Sequence, residues 1–224
     1  MQESETPGAA CESSFFDQHR YQVRFEWGVE GLAHLDPADV VIVVDVLRFS
    51  TTTTRAIEAG DTVSLSAARA NALHGVAVAD LAAATGALVI LGCLRNASSV
   101  AREVADEQLR RGARTSIAVI AAGERVAGET GLRFAVEDHL GAGAIIGALT
   151  DLGLDHTSPE AACAAEAFRG MRGATRHLLS ASGSGQQLIA GGSRGDVLAA
   201  ADVDASTAVP VLREGVFVGG SVAD

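Results

Sequence analysis

Lysine is absent from this sequence of 224 residues, and all 17 basic residues are arginines. A P-loop for nucleotide phosphates needs a lysine, and so does Schiff-base chemistry, so both mechanisms are excluded. Acidic residues number 28, which gives a formal net charge of −11 and a pI near 4.9. Because such a chain lacks the basic footprint of a nucleic-acid-binding protein, we expect no nucleic-acid partner.

Cysteine, proline and aromatic residues are scarce as well. The three cysteines, Cys11, Cys93 and Cys163, are odd in number and far apart, which indicates a reducing compartment and no disulfide framework. No apolar run approaches the ~18 residues that a membrane span needs, and residues 1–11 are acidic and polar. We therefore expect a cytoplasmic protein without membrane contact.

Apolar residues are abundant, at 48% of the chain, and are enough for a sizeable core. The segment Asp-Val-Val-Ile-Val-Val-Asp at 39–45 is typical of a strand buried on both faces of a parallel sheet. It is followed by a hydroxyl-rich helix start and a stop at Gly60. Further strands are predicted at 21–27, 62–65, 87–91, 116–121 and 209–218, and further helices at 67–84, 98–111, 134–152, from 158 onward, and within 174–201.

This alternation of strands and helices predicts an α/β fold, a three-layer α/β/α sandwich with a mostly parallel sheet. We expect residues 21–224 to form one domain behind a flexible lead-in at residues 1–20. Ligands of open α/β sheets bind outside the carboxyl ends of the strands, so the residues that follow each strand are the candidate site residues.

Asp45 ends the most clearly predicted strand and is followed by Arg48 and by the hydroxyls of Ser50 and Thr51. A carboxylate there can hold Mg²⁺, while a guanidinium and helix N–H groups hold a phosphate. The same residues also fit a capping aspartate followed by solvated threonines. The pattern alone leaves both interpretations open.

Polar residues follow other predicted strands too. Asn96 stands in a turn that suits either an anion or an ordinary helix start, and the loop with Ser184 and Gly185 suits either an anion or a plain turn. Glu137 and Asp138 either complete a metal site or complement the helix dipole. The sequence leaves open whether these two acids, or Glu124 after another strand, reach Asp45.

Two common kinds of site are not supported. The six histidines include no pair four residues apart, so a zinc site is not indicated. Gly141, Gly143 and Gly147 have the wrong spacing for a dinucleotide-binding loop and lie within a predicted helix. They indicate a surface where helices pack closely.

Several segments, in order along residues 23–217, match the motifs of a known family. The most specific of them is VVIVVDVLR at 40–48, preceded by VRFEWG at 23–28. Later matches are Asn96-Ala97-Ser98, Ala122-Gly123, Val136-Glu137-Asp138, Gly141 to Ile146, the Ser182 to Gly185 turn, Gly195-Asp196-Val197 and Val209-Pro210-Val211-Leu212. With these segments the sequence resembles the 2-phosphosulpholactate phosphatase family.

The resemblance implies a Mg²⁺-dependent phosphomonoester hydrolase acting on a small anionic phospho acid such as 2-phosphosulpholactate. The sequence does not determine the oligomeric state and leaves a homo-oligomer open. Metal and arginine would neutralise the phosphoryl group while water attacks. Position by position, it implies Asp45 and Arg48 as catalytic, Ser50, Thr51, Asn96, Ser184 and Gly185 as substrate-binding, and Asp45, Glu137 and Asp138 as metal ligands.

Residues 66–91 depart from the family pattern. They are alanine-rich and lack its Gly-Glu-Arg-Gly-Gly, Gly-Asn-Ser-Pro and Thr-Thr-Asn-Gly-Thr elements. A second hypothesis is therefore a non-catalytic relative that binds a small anion or acts as an interaction subunit, because fold is inherited more safely than function. A third is a phosphotransferase with Asp45 as the nucleophile.

Overall fold

The computed structural model describes residues 15–69, 73–124 and 131–220. These residues form one mixed sheet of seven strands with helices against it. The strands are β1 (Val23–Trp27), β2 (Val40–Val44), β3 (Val63–Ser64), β4 (Leu88–Gly92), β5 (Ile117–Ala121), β6 (Pro210–Arg213) and β7 (Val216–Gly219). The helices are α1 (Gly28–His34), α2 (Phe49–Glu58), α3 (Leu65–Ala68), α4 (Leu73–Ala84), α5 (Ala97–Arg111), α6 (Val136–Asp151), α7 (Pro159–Met171), α8 (Thr175–Ala181), α9 (Gly183–Ala190) and α10 (Arg194–Ala200).

The strand order in the sheet is β1-β5-β2-β4-β6-β7-β3. The first four strands are parallel, and the last three extend the sheet in antiparallel fashion, with β6 and β7 forming a hairpin. The predicted α/β fold is therefore confirmed: its core is the parallel part of the sheet, and helices flank it. Within the described residues, no helix is long and apolar enough to cross a membrane.

Strand β2 lies in the middle of the parallel part and is buried along its whole length. Val40, Ile42 and Val44 pack into the larger core, toward α5, α6 and α7. Val41 and Val43 pack into the core on the other face, toward α1 and α4. Burial on both faces is why the segment has an unbroken run of β-branched residues.

Glycines in α6 allow the close helix packing that the sequence predicted. A Cβ atom on Gly143 would overlap the backbone carbonyl of Ala164 in α7. A Cβ atom on Gly141 would lie 2.6 Å from the Val46 side chain, which follows β2. The helix is thereby drawn against the end of β2, and its first turn is brought to the edge of the sheet where Asp45 lies.

Of the expected lead-in, residues 1–14 lie outside the described residues. Asp17 and Gln18 are buried, and the Gln18 side chain donates a hydrogen bond to the Phe25 carbonyl in β1. Helix α1, which the sequence did not predict, follows β1 directly.

Candidate active site

A cavity of about 540 Å³ opens at the carboxyl ends of β2 and β5. It is walled by the loops after these strands, by the first turns of α4 and α6, and by α9 and the loop after it. Of the residues implied by the sequence, it brings together Asp45, Arg48, Glu137, Asp138 and Ser184. Glu124 also lines the cavity. The sequence left open whether Glu124, Glu137 and Asp138 reach Asp45, and the structure shows all three in the same cavity as Asp45.

Asp45 is held by the backbone around it. The Phe49 N–H at the start of α2 donates to Oδ1 of Asp45 at 3.1 Å, and the Gly75 N–H in the first turn of α4 donates to the same carboxylate. The Ser50 hydroxyl accepts from the Asp45 N–H at 3.0 Å and fixes the turn between strand and helix. Burial raises the pKa of Asp45 to about 6, although the Phe49 N–H and His74 act in the opposite direction.

Gly75 permits the approach of α4 to this carboxylate. A Cβ atom at this position would lie 2.6 Å from Oδ2 of Asp45 and 2.8 Å from the Phe49 ring. Such distances are shorter than real Cβ atoms tolerate, so a larger residue would displace Asp45 or the helix. The alanine-rich segment thus supplies one wall of the cavity.

Asp138 joins the loops that follow the two strands. Its Oδ1 accepts from the Val46 N–H at 2.7 Å, and its Oδ2 accepts from the Gly123 N–H at 2.9 Å. The side chain is 3% exposed. Burial, together with the nearby charges of Asp45 and Glu137, raises the pKa of Asp138 well above its ordinary value.

Glu137 is only 2% exposed, yet its carboxylate makes no hydrogen bond or ion pair with any described residue. No arginine of the described ranges lies within ion-pair distance of Asp45, Glu137 or Asp138. Burying several carboxylates without a counter-charge is unfavourable, so these groups are stabilised either by protonation or by a bound cation.

The donor set fits Mg²⁺, which prefers oxygen ligands and uses one or two carboxylates together with water and substrate phosphate. Asp45, Glu137 and Asp138 supply such oxygens. In the part of the chain that the structure describes, no three His, Cys, Asp or Glu side chains converge closely enough to bind a metal on their own. The arrangement therefore suits an ion that keeps part of its coordination for water and ligand.

Arg48 and Ser184 lie on the cavity wall, Arg48 exposed before α2 and Ser184 in the first turn of α9. Gly185 is buried beside Ser184 and does not line the cavity: its N–H donates to the Ser182 hydroxyl at 3.0 Å, and a Cβ atom there would overlap the Leu179 carbonyl. Gly185 is thus placed for helix capping and packing.

Ser50, Thr51 and Asn96 are buried outside the cavity lining. The hydroxyls of Ser50 and Thr51 donate to the carbonyls of Val43 and Val46, respectively, at 3.1 and 2.8 Å. These residues shape the turn that carries Asp45, and the structure does not bring them to a position where a ligand in the cavity would touch them.

Asn96 is fully buried, and its amide is used within the protein. Its Oδ1 accepts from the Cys93 N–H at 2.9 Å, and its Nδ2 donates to the Ala208 carbonyl at 3.0 Å and to Thr54 and Leu91 at 3.3 Å each. This network ties the turn after β4 to α2 and to the segment before β6.

His74 was not among the residues that the sequence singled out. It stands in the first turn of α4, lines the cavity, and places Nδ1 3.3 Å from Oε1 of Glu124. Its only sequence signal is a lone titratable residue next to a glycine within an alanine-rich segment. His74 has no fixed sequence spacing to the other site residues, because the cavity is assembled from segments that are distant in the sequence.

The fold and the cavity define an α/β protein with an acidic, arginine-bearing pocket for a small polar ligand at its strand ends. The family model for 2-phosphosulpholactate phosphatase matches residues 74–215, more than half of the chain. The chain belongs to this phosphatase family. The matched range begins at His74 and includes Glu124, Glu137, Asp138 and Ser184, whereas Asp45 and Arg48 precede it.

Proposed function

We propose that the protein is a Mg²⁺-dependent phosphatase that hydrolyses a small anionic phospho acid of the 2-phosphosulpholactate type in the cavity beside Asp45. The observation that carries this proposal is the set of carboxylates of Asp45, Glu137 and Asp138, which are nearly buried and have no arginine of the described residues within ion-pair distance. Membership in the phosphatase family supports the reaction class.

The dimensions and charges of the cavity suit this reaction. A volume of about 540 Å³ lies within the range of small-molecule sites. Bound Mg²⁺ supplies positive charge to the phosphoryl oxygens and lowers the pKa of a coordinated water. Two of the carboxylates of Asp45, Glu137 and Asp138 would hold the ion, with water and the substrate phosphate completing its coordination.

Arg48 is the residue that would bind the phosphoryl group. It lines the cavity three residues after Asp45, and guanidinium groups bind phosphate oxygens in a bidentate manner. The Ser184 hydroxyl would bind the acid portion of the substrate. Together these two side chains would orient the phosphorus atom toward the carboxylates.

The proposal is tested by measuring phosphate release from a panel of small phospho acids that includes 2-phosphosulpholactate and phospholactate. We expect turnover with Mg²⁺, loss of turnover in EDTA, and restoration by added Mg²⁺. Asp45→Asn should lower kcat by about 100-fold or more, in the range expected for loss of a group acting at the reacting atoms.

Asp61→Asn is the matched control, because Asp61 is exposed after α2 and away from the cavity. It should keep wild-type activity. Absence of turnover on the whole panel, or full activity of Asp45→Asn, would overturn the proposal. Calorimetric binding of Mg²⁺ and phosphate without any turnover would instead support a non-catalytic, anion-binding relative.

A further inference from the structure

We propose that His74 donates the proton to the leaving group in this cavity and that Glu124 positions its imidazole ring. This inference rests on the proposed phosphatase function and adds an acid catalyst to it. It concerns two side chains whose contact is visible in the structure: Nδ1 of His74 lies 3.3 Å from Oε1 of Glu124.

Both side chains open into the cavity. The His74 side chain is 25% exposed and that of Glu124 is 31% exposed, and both line the cavity together with Asp45. Each acts on the pKa of Asp45, His74 lowering it and Glu124 raising it, so the three groups are electrostatic neighbours. A ligand beside Asp45 is thus near His74.

The backbone holds this pair in place. Glu124 exchanges two backbone hydrogen bonds with Arg133, of 3.0 and 2.7 Å, directly after β5. His74 is in the first turn of α4, next to Gly75, whose N–H donates to Asp45. The position of His74 is therefore coupled to that of the Asp45 carboxylate, and Glu124 is held by the backbone after β5.

The contact with Glu124 determines which nitrogen can act. A carboxylate at Nδ1 favours a proton on that nitrogen and orients the ring. Nε2 has no hydrogen-bond partner among the described residues, so it is the nitrogen available to a ligand. An imidazole oriented through one nitrogen and acting through the other is a recurrent arrangement in proton transfer.

The other titratable groups on the described wall are less suited to this role. Asp45, Glu137 and Asp138 are the proposed Mg²⁺ ligands, and Arg48 is the proposed phosphate-binding residue. In hydrolysis of a phosphomonoester, the leaving oxygen must gain a proton as its bond to phosphorus breaks. His74 is the described cavity residue whose imidazole can donate this proton.

The step is balanced as follows. The oxygen of a water molecule forms the new bond to phosphorus, and the bond between phosphorus and the leaving oxygen breaks with its electron pair going to that oxygen. The Nε2–H proton of His74 moves to the leaving oxygen and gives the free alcohol. One proton of the water leaves to solvent and the other stays on the phosphate, and His74 regains its proton from solvent.

The test uses two substrates that differ in leaving group. The first is the phospho acid that the wild-type protein hydrolyses fastest, and the second is its analogue fluorinated next to the leaving oxygen, which departs readily without a proton. His74→Gln should lower kcat by about 100-fold on the first substrate. On the second substrate, the loss of kcat should be smaller by a factor of about ten or more. His177→Gln, a change of an exposed histidine in α8, should leave both rates unchanged.

A merely structural role of His74 would lower both rates equally, so equal losses, or no loss, would overturn the assignment while leaving the proposed function intact. Lack of turnover by the wild-type protein on every phospho acid would overturn both proposals. Calorimetric Mg²⁺ binding should be unchanged in His74→Gln, and loss of this binding would also contradict a role confined to proton donation.

Glu124→Gln tests the positioning role, because glutamine keeps the shape of the side chain and removes its charge. We expect the same dependence on leaving group as in His74→Gln, with a smaller loss of about tenfold on the unfluorinated substrate. Equal losses on the two substrates, or none, would remove Glu124 from the proposal.

Discussion

Two strand ends of this sheet look alike in sequence and differ in the structure. Asp45 follows β2, and Asn96 lies in the turn after β4, the neighbouring strand. The Asn96 amide is fully buried and bonded to four partners within the protein. The carboxylates around Asp45 instead face a cavity, and Glu137 among them has no described partner.

The difference shows how a polar residue after a strand should be interpreted. A buried polar group whose hydrogen bonds are made inside the protein stabilises the fold, because removing it leaves its partners unsatisfied. Buried charges that lack a counter-charge destabilise the fold unless a ligand compensates them. We therefore predict opposite consequences for substitutions at the two strand ends.

The largest effect is expected at the turn after β4. Asn96→Ala should lower the free energy of unfolding by about 4 kcal/mol, because several buried partners lose their hydrogen bonds at once. Activity per folded molecule should be unchanged. Chemical denaturation checks the stability, and Gln186→Ala, at an exposed amide in α9, is the control. A stable but inactive Asn96→Ala would contradict the comparison.

Gly75→Ala should act in the opposite way, on catalysis more than on stability. The added Cβ atom would be 2.6 Å from Asp45 Oδ2 and would displace that carboxylate, so we expect kcat to fall by about 100-fold. Gly170→Ala is the matched control, since a Cβ atom on this exposed glycine of α7 meets nothing. Wild-type kcat in Gly75→Ala would show that the position of Asp45 is not critical.

The raised pKa of Asp45 predicts a specific dependence of stability on pH in EDTA. The folded state keeps the Asp45 proton up to about pH 6, whereas the ordinary value is 3.8, so stability falls as the pH rises through this interval. Asp45→Asn removes this contribution. Its stability relative to wild type should therefore rise by on the order of 2 kcal/mol between about pH 4 and pH 7.

Denaturation curves for both proteins across this interval provide the measurement. The informative quantity is the difference in free energy of unfolding between wild type and Asp45→Asn. Asp39 and other groups titrate in both proteins, so their contributions cancel in this difference. Parallel pH profiles would show that the Asp45 pKa is not raised in the folded state.

The smallest expected effect is that of Glu137→Gln. Removing this charge relieves repulsion with Asp138, so the variant should be more stable than wild type in EDTA by about 1 kcal/mol. It should also need about tenfold more Mg²⁺ for half-maximal activity. Glu160→Gln, at an exposed acid in the first turn of α7, should change neither quantity. Lower stability in EDTA for Glu137→Gln would contradict the account of unpaired charge.

The architecture was predictable because it is encoded in local patterns. The β-branched run of β2 and the glycines of α6 each predicted an element or a contact that the structure contains. Helix α1 was missed, since its seven residues show no extended apolar periodicity.

The site was predictable only in part. Asp45, Glu137 and Asp138 follow strands or open helices, and the rule on strand ends made them candidates but left open whether Glu137 and Asp138 reach Asp45. His74 comes from a segment without a motif, and its place beside Glu124 depends on how α4 packs against the sheet. Asn96 has the same local pattern as a ligand-binding residue, and its partners at Thr54 and Ala208 are set by tertiary contacts.

The central claim is that at least two of the carboxylates of Asp45, Glu137 and Asp138 bind a divalent cation next to a phosphate bound by Arg48. Anomalous diffraction from crystals soaked with Mn²⁺ and phosphate tests it most directly. We predict one Mn²⁺ peak at coordination distance, about 2.1 Å, from at least two of these carboxylates, with phosphate density between the ion and Arg48. A cavity without Mn²⁺ in such crystals, or Mn²⁺ bound only elsewhere, would contradict the account.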